Sequence, residues 1–311
     1  MDKIDEKLVG VLDSNPRISL SKLASLVRIS QQVADYRLKR LLKKKIITLF
    51  GAIINLSSLG LEQYRVFFRF NARYLDINKV LDFLKNTKTV YWAARIGGKY
   101  DLLITFFVKD FAEFDQFIDT LNKKFPGLIR DYQACYGLEH IICHHKFASK
   151  DITTFSYGYN DKPESVDEVD MLILRELKKN CRTSAVSIAK GKKFTYKTVL
   201  NRIKMLEKQK VILGYRLFYS DGVHKPLTLL FSLHDYTKEK ERALIAYLKQ
   251  RDEVTQIIRL FGVWNLFIHI RVKDYEEAQQ MIIEARDKFD IIHEHEIIPV
   301  FEDITINLLP I

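Results

Sequence analysis

Two stretches of this chain concentrate side chains able to hold a polyanion and read a base edge. The first, SQQVADYRLKRLLKKK, runs from Ser30 to Lys45; the second, TYKTVLNRIKMLEKQK, runs from Thr195 to Lys210. Wound as helices, they turn Gln31, Gln32, Asp35, Tyr36 and Lys39 outward in the first, and Tyr196, Lys197, Leu200, Asn201 and Lys204 in the second. A Gln or Asn amide offers a donor and an acceptor together, which suits an adenine edge, whereas Lys39 and Lys204 suit guanine or phosphate. Arg40, Lys43, Lys44, Lys45, Lys190, Lys192 and Lys193 have the chemistry of phosphate contacts, which position without specifying. Arg37 and Arg202 read equally well as phosphate contacts or as braces to the acids Asp5 and Asp170.

The charge distribution follows these stretches. The chain has 311 residues, with 50 Lys and Arg against 39 Asp and Glu. Residues 1–48 hold 11 basic and 5 acidic side chains, and residues 165–213 hold 12 and 5. Residues 214–311 instead hold 12 basic and 16 acidic. The whole positive excess therefore sits in two segments of some fifty residues each, where a polyanion would find its contacts.

Both segments open units that repeat. With Asp5 laid on Asp170, Leu12 meets Leu177, Asn15 meets Asn180, Arg17 meets Arg182, Ser19 meets Ser184, Arg37 meets Arg202 and Leu41 meets Leu206. Later, GGKYDLLITFFVKDFAEF (97–114) answers FGVWNLFIHIRVKDYEEA (261–278). A period near 165 is too long for a solenoid, so a pair of domains has been duplicated.

Each copy begins with three helical patterns. In the first copy these are Ile4, Leu8, Val11 and Leu12; then Leu20, Leu23, Ala24 and Val27 behind an N-cap at Ser19; then Val33, Ala34, Leu38 and Leu41 behind Ser30. The second copy follows with Val169, Leu172, Ile173 and Leu177; Val186, Ile188 and Ala189; and Thr198, Val199, Ile203 and Leu206 behind Thr195. Two short helices and a longer third after a tight turn form a helix-turn-helix pattern. The β-rich IITLFGAIIN and VILGYRLFY that follow are expected as wings. Each copy then alternates strands and helices in the order βαββαβ: strands over 64–72, 90–97, 101–108 and 139–147, with helices over 76–86 and 111–125, and the same order in copy two. Such a sheet carries helices on one face and leaves an apolar face that a second sheet can cover.

The fold class is thus α+β: two winged helix-turn-helix domains and two βαββαβ ferredoxin-like ligand-sensing domains in tandem. The expected boundaries are 1–55, 60–147, a linker at 148–164, 165–220 and 225–311. Cys135, Cys143 and Cys181 make no CxxC and point to a reducing compartment. The polar start MDKIDEKLVG and the absence of an eighteen-residue apolar run predict neither a signal peptide nor a membrane partner, hence a cytoplasmic protein. No Walker loop, G-x-S-x-G or triad spacing is present, so no catalytic residue and no cofactor are expected. His140, Cys143, His144 and His145 cluster, as do His293 and His295, but neither spacing matches a structural zinc pattern, and no metal is expected.

The opening IDEKLVGVLDSNPRISLSKLASLVRISQQVADYRLKRLLKKKII, with the later IGGKYDLLITFFVKD, resembles the leucine-responsive regulator (Lrp/AsnC) family. The resemblance covers nearly the whole chain twice. It implies a transcription regulator, not an enzyme, whose partners are double-stranded DNA and an amino-acid effector, and which self-associates through its sensing domains. It also implies an effector site at the G-x-Y-D turn: Gly98, Tyr100 and Asp101 in copy one, Gly262, Trp264 and Asn265 in copy two, where the charge is lost and the ring enlarged. Copy one departs at its wing, with Leu49-Phe50 where copy two has Gly214-Tyr215. The alternative is an enzyme similar to the siroheme decarboxylases, which share this architecture; WNLF (264–267), Arg95 and Arg259 are the residues that fit it.

Overall fold

The computed structural model describes residues 1–71, 74–143, 154–220 and 222–311. Copy one holds α1 (Lys3–Ser14), α2 (Leu20–Val27), α3 (Gln31–Lys43), β1 (Ile47–Ile54), β2 (Glu62–Phe70), α4 (Tyr74–Lys85), β3 (Val90–Ile96), β4 (Leu102–Val108), α5 (Phe111–Lys124) and β5 (Ile129–Cys143). A short strand, β6 (Thr154–Gly158), follows. Copy two holds α6 (Glu168–Lys179), α7 (Ala185–Ala189), α8 (Tyr196–Lys208), β7 (Ile212–Tyr219), β8 (Lys225–Leu233), α9 (Lys238–Gln250), β9 (Val254–Phe261), β10 (Leu266–Val272), α10 (Tyr275–Lys288) and β11 (Ile292–Ile306). These group by layer rather than by copy. One compact unit contains Met1–Asn55 and Glu164–His224; the other contains Leu56–Ile142, Ser156–Pro163 and Lys225–Ile311.

In the helical unit each first helix starts at a reciprocal cap. The Asp2 carboxylate accepts from the Ile4 and Asp5 amides, and the Asp5 side chain accepts from the Asp2 amide. Asp167 and Asp170 repeat the arrangement. Ser19, Ser30, Ser184 and Thr195 cap the second and third helices, satisfying amides that have no partner within the helix. The apolar stripes of α1, α2 and α3 meet over Leu8, Leu12, Leu23, Leu38 and Leu41. Val33 and Val186, expected in the stripes, face solvent instead.

The strands expected as wings do not form hairpins within their own copies. β1 pairs antiparallel with β7, Phe50 opposite Leu217 and Ala52 opposite Tyr215. The pairing seals one core across both copies, since Leu217, Tyr219 and Cys181 of copy two join the cluster of Leu8 and Leu12. Arg17 donates to the Tyr215 hydroxyl (2.8 Å), which donates to Glu207 (2.6 Å), and Arg182 donates to the Pro16 carbonyl (2.6 Å). The arginines matched by the repeat thus fasten one copy to the other.

In the sheet unit, copy one contributes the order β5-β2-β4-β3 and copy two the order β11-β8-β10-β9. The sheets do more than cover each other. β3 pairs with β11 and β9 with β5, so the eight strands close into a ring. Closure leaves neither four-stranded sheet with an open edge. One face of each strand packs on the helices: Tyr64, Val66, Phe68, Ile104 and Phe106 meet Leu84, Phe114, Phe117 and Leu121. The other face fills the ring with Phe67, Trp92, Leu103, Leu230, Ile258 and Phe267. Each such aromatic side chain contributes about 2–3 kcal/mol by leaving water.

The last strands of both copies begin ten residues earlier than their apolar segments suggest, at Ile129 and Ile292. Their first halves, IRDYQACYG and IHEHEIIPV, keep one face half exposed and so lack a continuous apolar run. Residues 154–158, within the expected linker, form β6, which lies beside β5.

Candidate nucleic-acid interface

The third helices are fixed from below and open above. Ala34, Leu38 and Leu41 are buried in α3, as are Val199, Ile203 and Leu206 in α8. Gln31, Gln32, Lys39 and Lys43 are exposed, and Tyr36 is 66% exposed at the middle of the outer face. Asp35 holds Lys39 by a 2.6 Å ion pair one turn apart, with the lysine side chain still 73% accessible. In α8 the exposed outer residues are Tyr196, Lys197, Leu200, Asn201 and Lys204. Lys44, Lys45, Lys190, Lys192 and Lys193 are exposed around the ends of these helices.

Three of the predicted contact residues are turned inward. Arg37 donates to Asp2 (2.6 Å) and Asp5 (2.9 Å), and Arg40 to Asp5 (2.5 Å). In copy two Arg202 pairs with Asp167 (2.9 Å) and Asp170 (3.1 Å). Of the two sequence readings of Arg37 and Arg202, the brace is the one these distances support, and Arg40, expected on phosphate, shares it. The reason is electrostatic. Asp5 and Asp170 are nearly inaccessible, and a buried carboxylate needs a cation beside it. The Arg37 guanidinium pulls the Asp2 carboxyl down to about 2. Burial pushes Asp170 up, against the Asp167 amide and Arg202. The brace ties α1 to α3 and so sets the angle at which α3 leaves the core.

The predicted effector turns are matched in geometry, with Gly98, Asp101 and Gly262 exposed and their ring residues turned inward. Gly98 and Gly262 take positive φ, 84° and 151°. Asp101 Oδ2 accepts from the Phe70 amide at 2.8 Å, and Asn265 Oδ1 accepts from the Leu233 amide at 2.7 Å. Asp and Asn thus perform the same turn-bracing task, which accounts for the loss of charge in copy two. Tyr100 and Trp264 are both buried, and the Trp264 indole donates to the Tyr100 hydroxyl at 3.2 Å. The Tyr100 hydroxyl also bonds Gln133. The Tyr100 and Trp264 side chains both lie in the core enclosed by the strands, joined by their hydrogen bond.

Arg95 pairs with Glu302 at 3.6 Å, and Arg259 with Glu241 at 2.7 Å and Glu139 at 3.4 Å. His140 is buried with its Nδ1 2.8 Å from the Tyr157 hydroxyl, whereas His293 is exposed. His144 and His145 lie outside the described residues. Among the described residues no three His, Cys, Asp or Glu side chains converge as metal ligands, and no helix is long and apolar enough to cross a membrane. Sequence reasoning missed Arg65, Asp13 and Arg216, three charged residues with little or no exposure.

Comparison with known proteins places this architecture. The AsnC-type helix-turn-helix domain matches residues 1–42, and a winged helix-turn-helix DNA-binding domain matches residues 166–212. An HTH-type transcriptional regulator of Methanocaldococcus jannaschii is 31% identical over 121 residues, covering 38% of this chain and 79% of the relative. The leucine-responsive regulatory protein of Haemophilus influenzae is 29% identical over 126 residues, covering 38% of this chain and 74% of the relative. The chain belongs to the Lrp/AsnC family of helix-turn-helix transcription regulators.

Across its whole length the chain also matches the crystal structure of the siroheme decarboxylase NirDL, with a TM-score of 0.67. That match covers 98% of this chain and 93% of NirDL at 12% identity, which establishes a shared fold. The expectation that the chain is not an enzyme is corrected by this finding: the whole-length match is to an enzyme, and a shared fold does not by itself separate an enzyme from a regulator.

Proposed function

We propose that this protein is a sequence-specific regulator that binds double-stranded DNA through α3 and α8, with one chain supplying the pair of heads that a dimer supplies elsewhere. The observation that carries the reading is the exposed outer face of each third helix, with cations and amides, above a core that fixes the helix. A helix of this kind enters the major groove with its front residues toward base edges. Gln31, Gln32 and Asn201 are the direct-readout residues; Lys39, Lys43, Lys197 and Lys204 supply the phosphate grip; Tyr36 and Tyr196 add ring contacts. Modulation by a small molecule, an amino acid in the first instance, is assigned to the sheet unit. Self-association is assigned to the same unit, where Phe261 and Phe301 are 73% and 68% exposed. The test is selection of bound fragments from the host genome at two salt concentrations. Enrichment of a defined motif, with affinity falling steeply as salt rises, supports the reading; unenriched binding at low salt that vanishes at high salt defeats it.

A second reading, a tetrapyrrole-acting enzyme of siroheme-decarboxylase type, is favoured by one observation, the whole-chain likeness to NirDL. Against it stand Arg95 and Arg259, both committed to carboxylates. An iron tetrapyrrole added to the chain separates the readings: an intense, shifted Soret band at stoichiometric ratio supports the enzyme, and the spectrum of free pigment removes it.

A further inference from the structure

Strand register places four side chains in a row across copy one's sheet. Cys135 on β5 lies opposite Arg65 on β2, Arg65 opposite Thr105 on β4, and Thr105 opposite Trp92 on β3. Gln63 follows two residues from Arg65, on the same face. This face looks into the ring of strands, where the Arg65 guanidinium lies 3.7 Å from the Phe267 ring centroid and 5.8 Å from that of Trp92.

Arg65 is 2% exposed, Thr105 0% and Gln63 6%. Arg65 Nε and Nη1, Thr105 Oγ1 and Gln63 Nε2 are all buried without a hydrogen-bond partner. Among the described residues no carboxylate pairs with Arg65. Burial pushes its pKa down, yet a guanidinium keeps its proton in a protein, so the ring encloses a cation lacking a counterion. Aromatic faces compensate only part of the hydration it has lost. Native interiors seldom leave one buried polar group unpaired; here three neighbouring residues do so together. All four atoms can donate, so what completes them is an acceptor with negative charge. Room is kept for the amide: a Cβ on Gly137 would stand 2.5 Å from Gln63 Oε1.

We infer that Arg65, Thr105 and Gln63 form an internal binding site for a small organic carboxylate, its charged end on the guanidinium and its apolar end against Phe267 and Trp92. A planar carboxylate matches a guanidinium in geometry, and the flanking rings favour an organic anion over phosphate. The row reaches the Gly262 turn through Cys135, whose Sγ a Cβ at Gly262 would approach to 2.8 Å, but the anion's partners Arg65, Thr105 and Gln63 belong to neither turn. It is independent of the DNA-binding reading, because occupancy is measured on the chain alone.

The experiment takes the full chain, dialysed free of carboxylates, and follows Tm and calorimetric binding with acetate and benzoate. Acetamide serves as the neutral control, and inorganic phosphate and chloride as the inorganic arm. The carboxylates raise Tm by several degrees near saturation, and acetamide does not. Arg65→Met stays folded, melts at or above the wild type in anion-free buffer, and loses the carboxylate response. Thr105→Val weakens binding several-fold and provides the readout where Arg65→Met does not fold. A wild type indifferent to both carboxylates, an Arg65→Met or Thr105→Val chain that responds as the wild type does, or a response to phosphate and chloride alone overturns the site.

Discussion

Asp13 is the residue whose chemistry is least comfortable in its surroundings. It is wholly buried near the end of α1, and neither carboxylate oxygen has a hydrogen-bond partner. Burial pushes its pKa up to about 7, although Arg216, from β7 of the other copy, pulls the other way. A carboxyl raised in the folded state binds a proton there that the unfolded chain has already released. Between about pH 4 and pH 7 the folded state therefore holds more protons, and stability falls as pH rises through that window. Each pKa unit corresponds to ~1.4 kcal/mol, so the fall reaches a few kcal/mol at most. Thermal melts from pH 4 to pH 8 should show Tm dropping toward neutrality. Asp13→Leu, which removes the charge at similar volume, should flatten that profile and raise Tm at pH 8. A wild-type Tm that climbs steadily from pH 4 to pH 7 would refute the assignment. The sequence could not have flagged this residue. Asp13 precedes the turn SNPR, where an acid reads as solvated, and the cation that acts on it, Arg216, comes from β7, about two hundred residues away.

At the scale of elements, legibility followed local periodicity. The helices of both heads were readable because their apolar spacing repeats every turn and their caps are chemical signatures. The partner of β1 was not readable, because a strand's own pattern states which face is buried and not which strand lies beside it. Arg65 was hidden for a related reason. In YRVFFRF every second residue faces one side, and an arginine at an alternate position reads as the solvent face. In a closed ring both faces are interior, so alternation misassigns it. The predicted contact set divided by the same logic. Outward residues of α3 were legible from the helical wheel, but Arg40 needed the position of Asp5 to be read as a brace. For α3 this division makes a prediction. Lys39→Ala with Lys43→Ala should weaken binding to every sequence and reduce the slope of log affinity against log salt by roughly one unit per lysine. Gln32→Ala should leave the slope alone and relax preference at one base pair. Arg37→Ala should act differently again, lowering Tm while the salt slope per bound chain stays constant. Fluorescence anisotropy over a salt series distinguishes all three. The glycine of the second turn is also testable: at Gly262 a Cβ would stand 2.8 Å from Cys135 Sγ, and φ is 151°. Gly262→Ala should lower Tm by several degrees, and an unchanged melt would mean the turn relaxes freely.

The whole chain is one two-domain unit written twice, and duplication within a chain changes what such an architecture can specify. Two identical heads related by a twofold axis must prefer an operator with matching halves. Here the heads share a core and a β1–β7 pairing, yet their outer faces have diverged at nearly every position. Gln31 and Gln32 stand where copy two has Tyr196 and Lys197, and Tyr36 stands where copy two has Asn201. Under the proposed DNA-binding function the shared core would constrain the spacing of two half-sites, and the divergent faces would free their sequences from each other. Motif selection on the wild type should therefore return two unlike half-sites at one spacing. The causal test is a transplant. Carrying Tyr196, Lys197, Leu200 and Asn201 onto the matching positions of α3, where Lys39 already matches Lys204, leaves Ala34, Leu38, Leu41 and the Asp5 brace untouched, so the fold should survive. The selected motif should then become an inverted repeat of the half-site read by α8, with spacing unchanged. If the transplanted chain instead retains the wild-type asymmetric motif, the outer residues of α3 do not read bases.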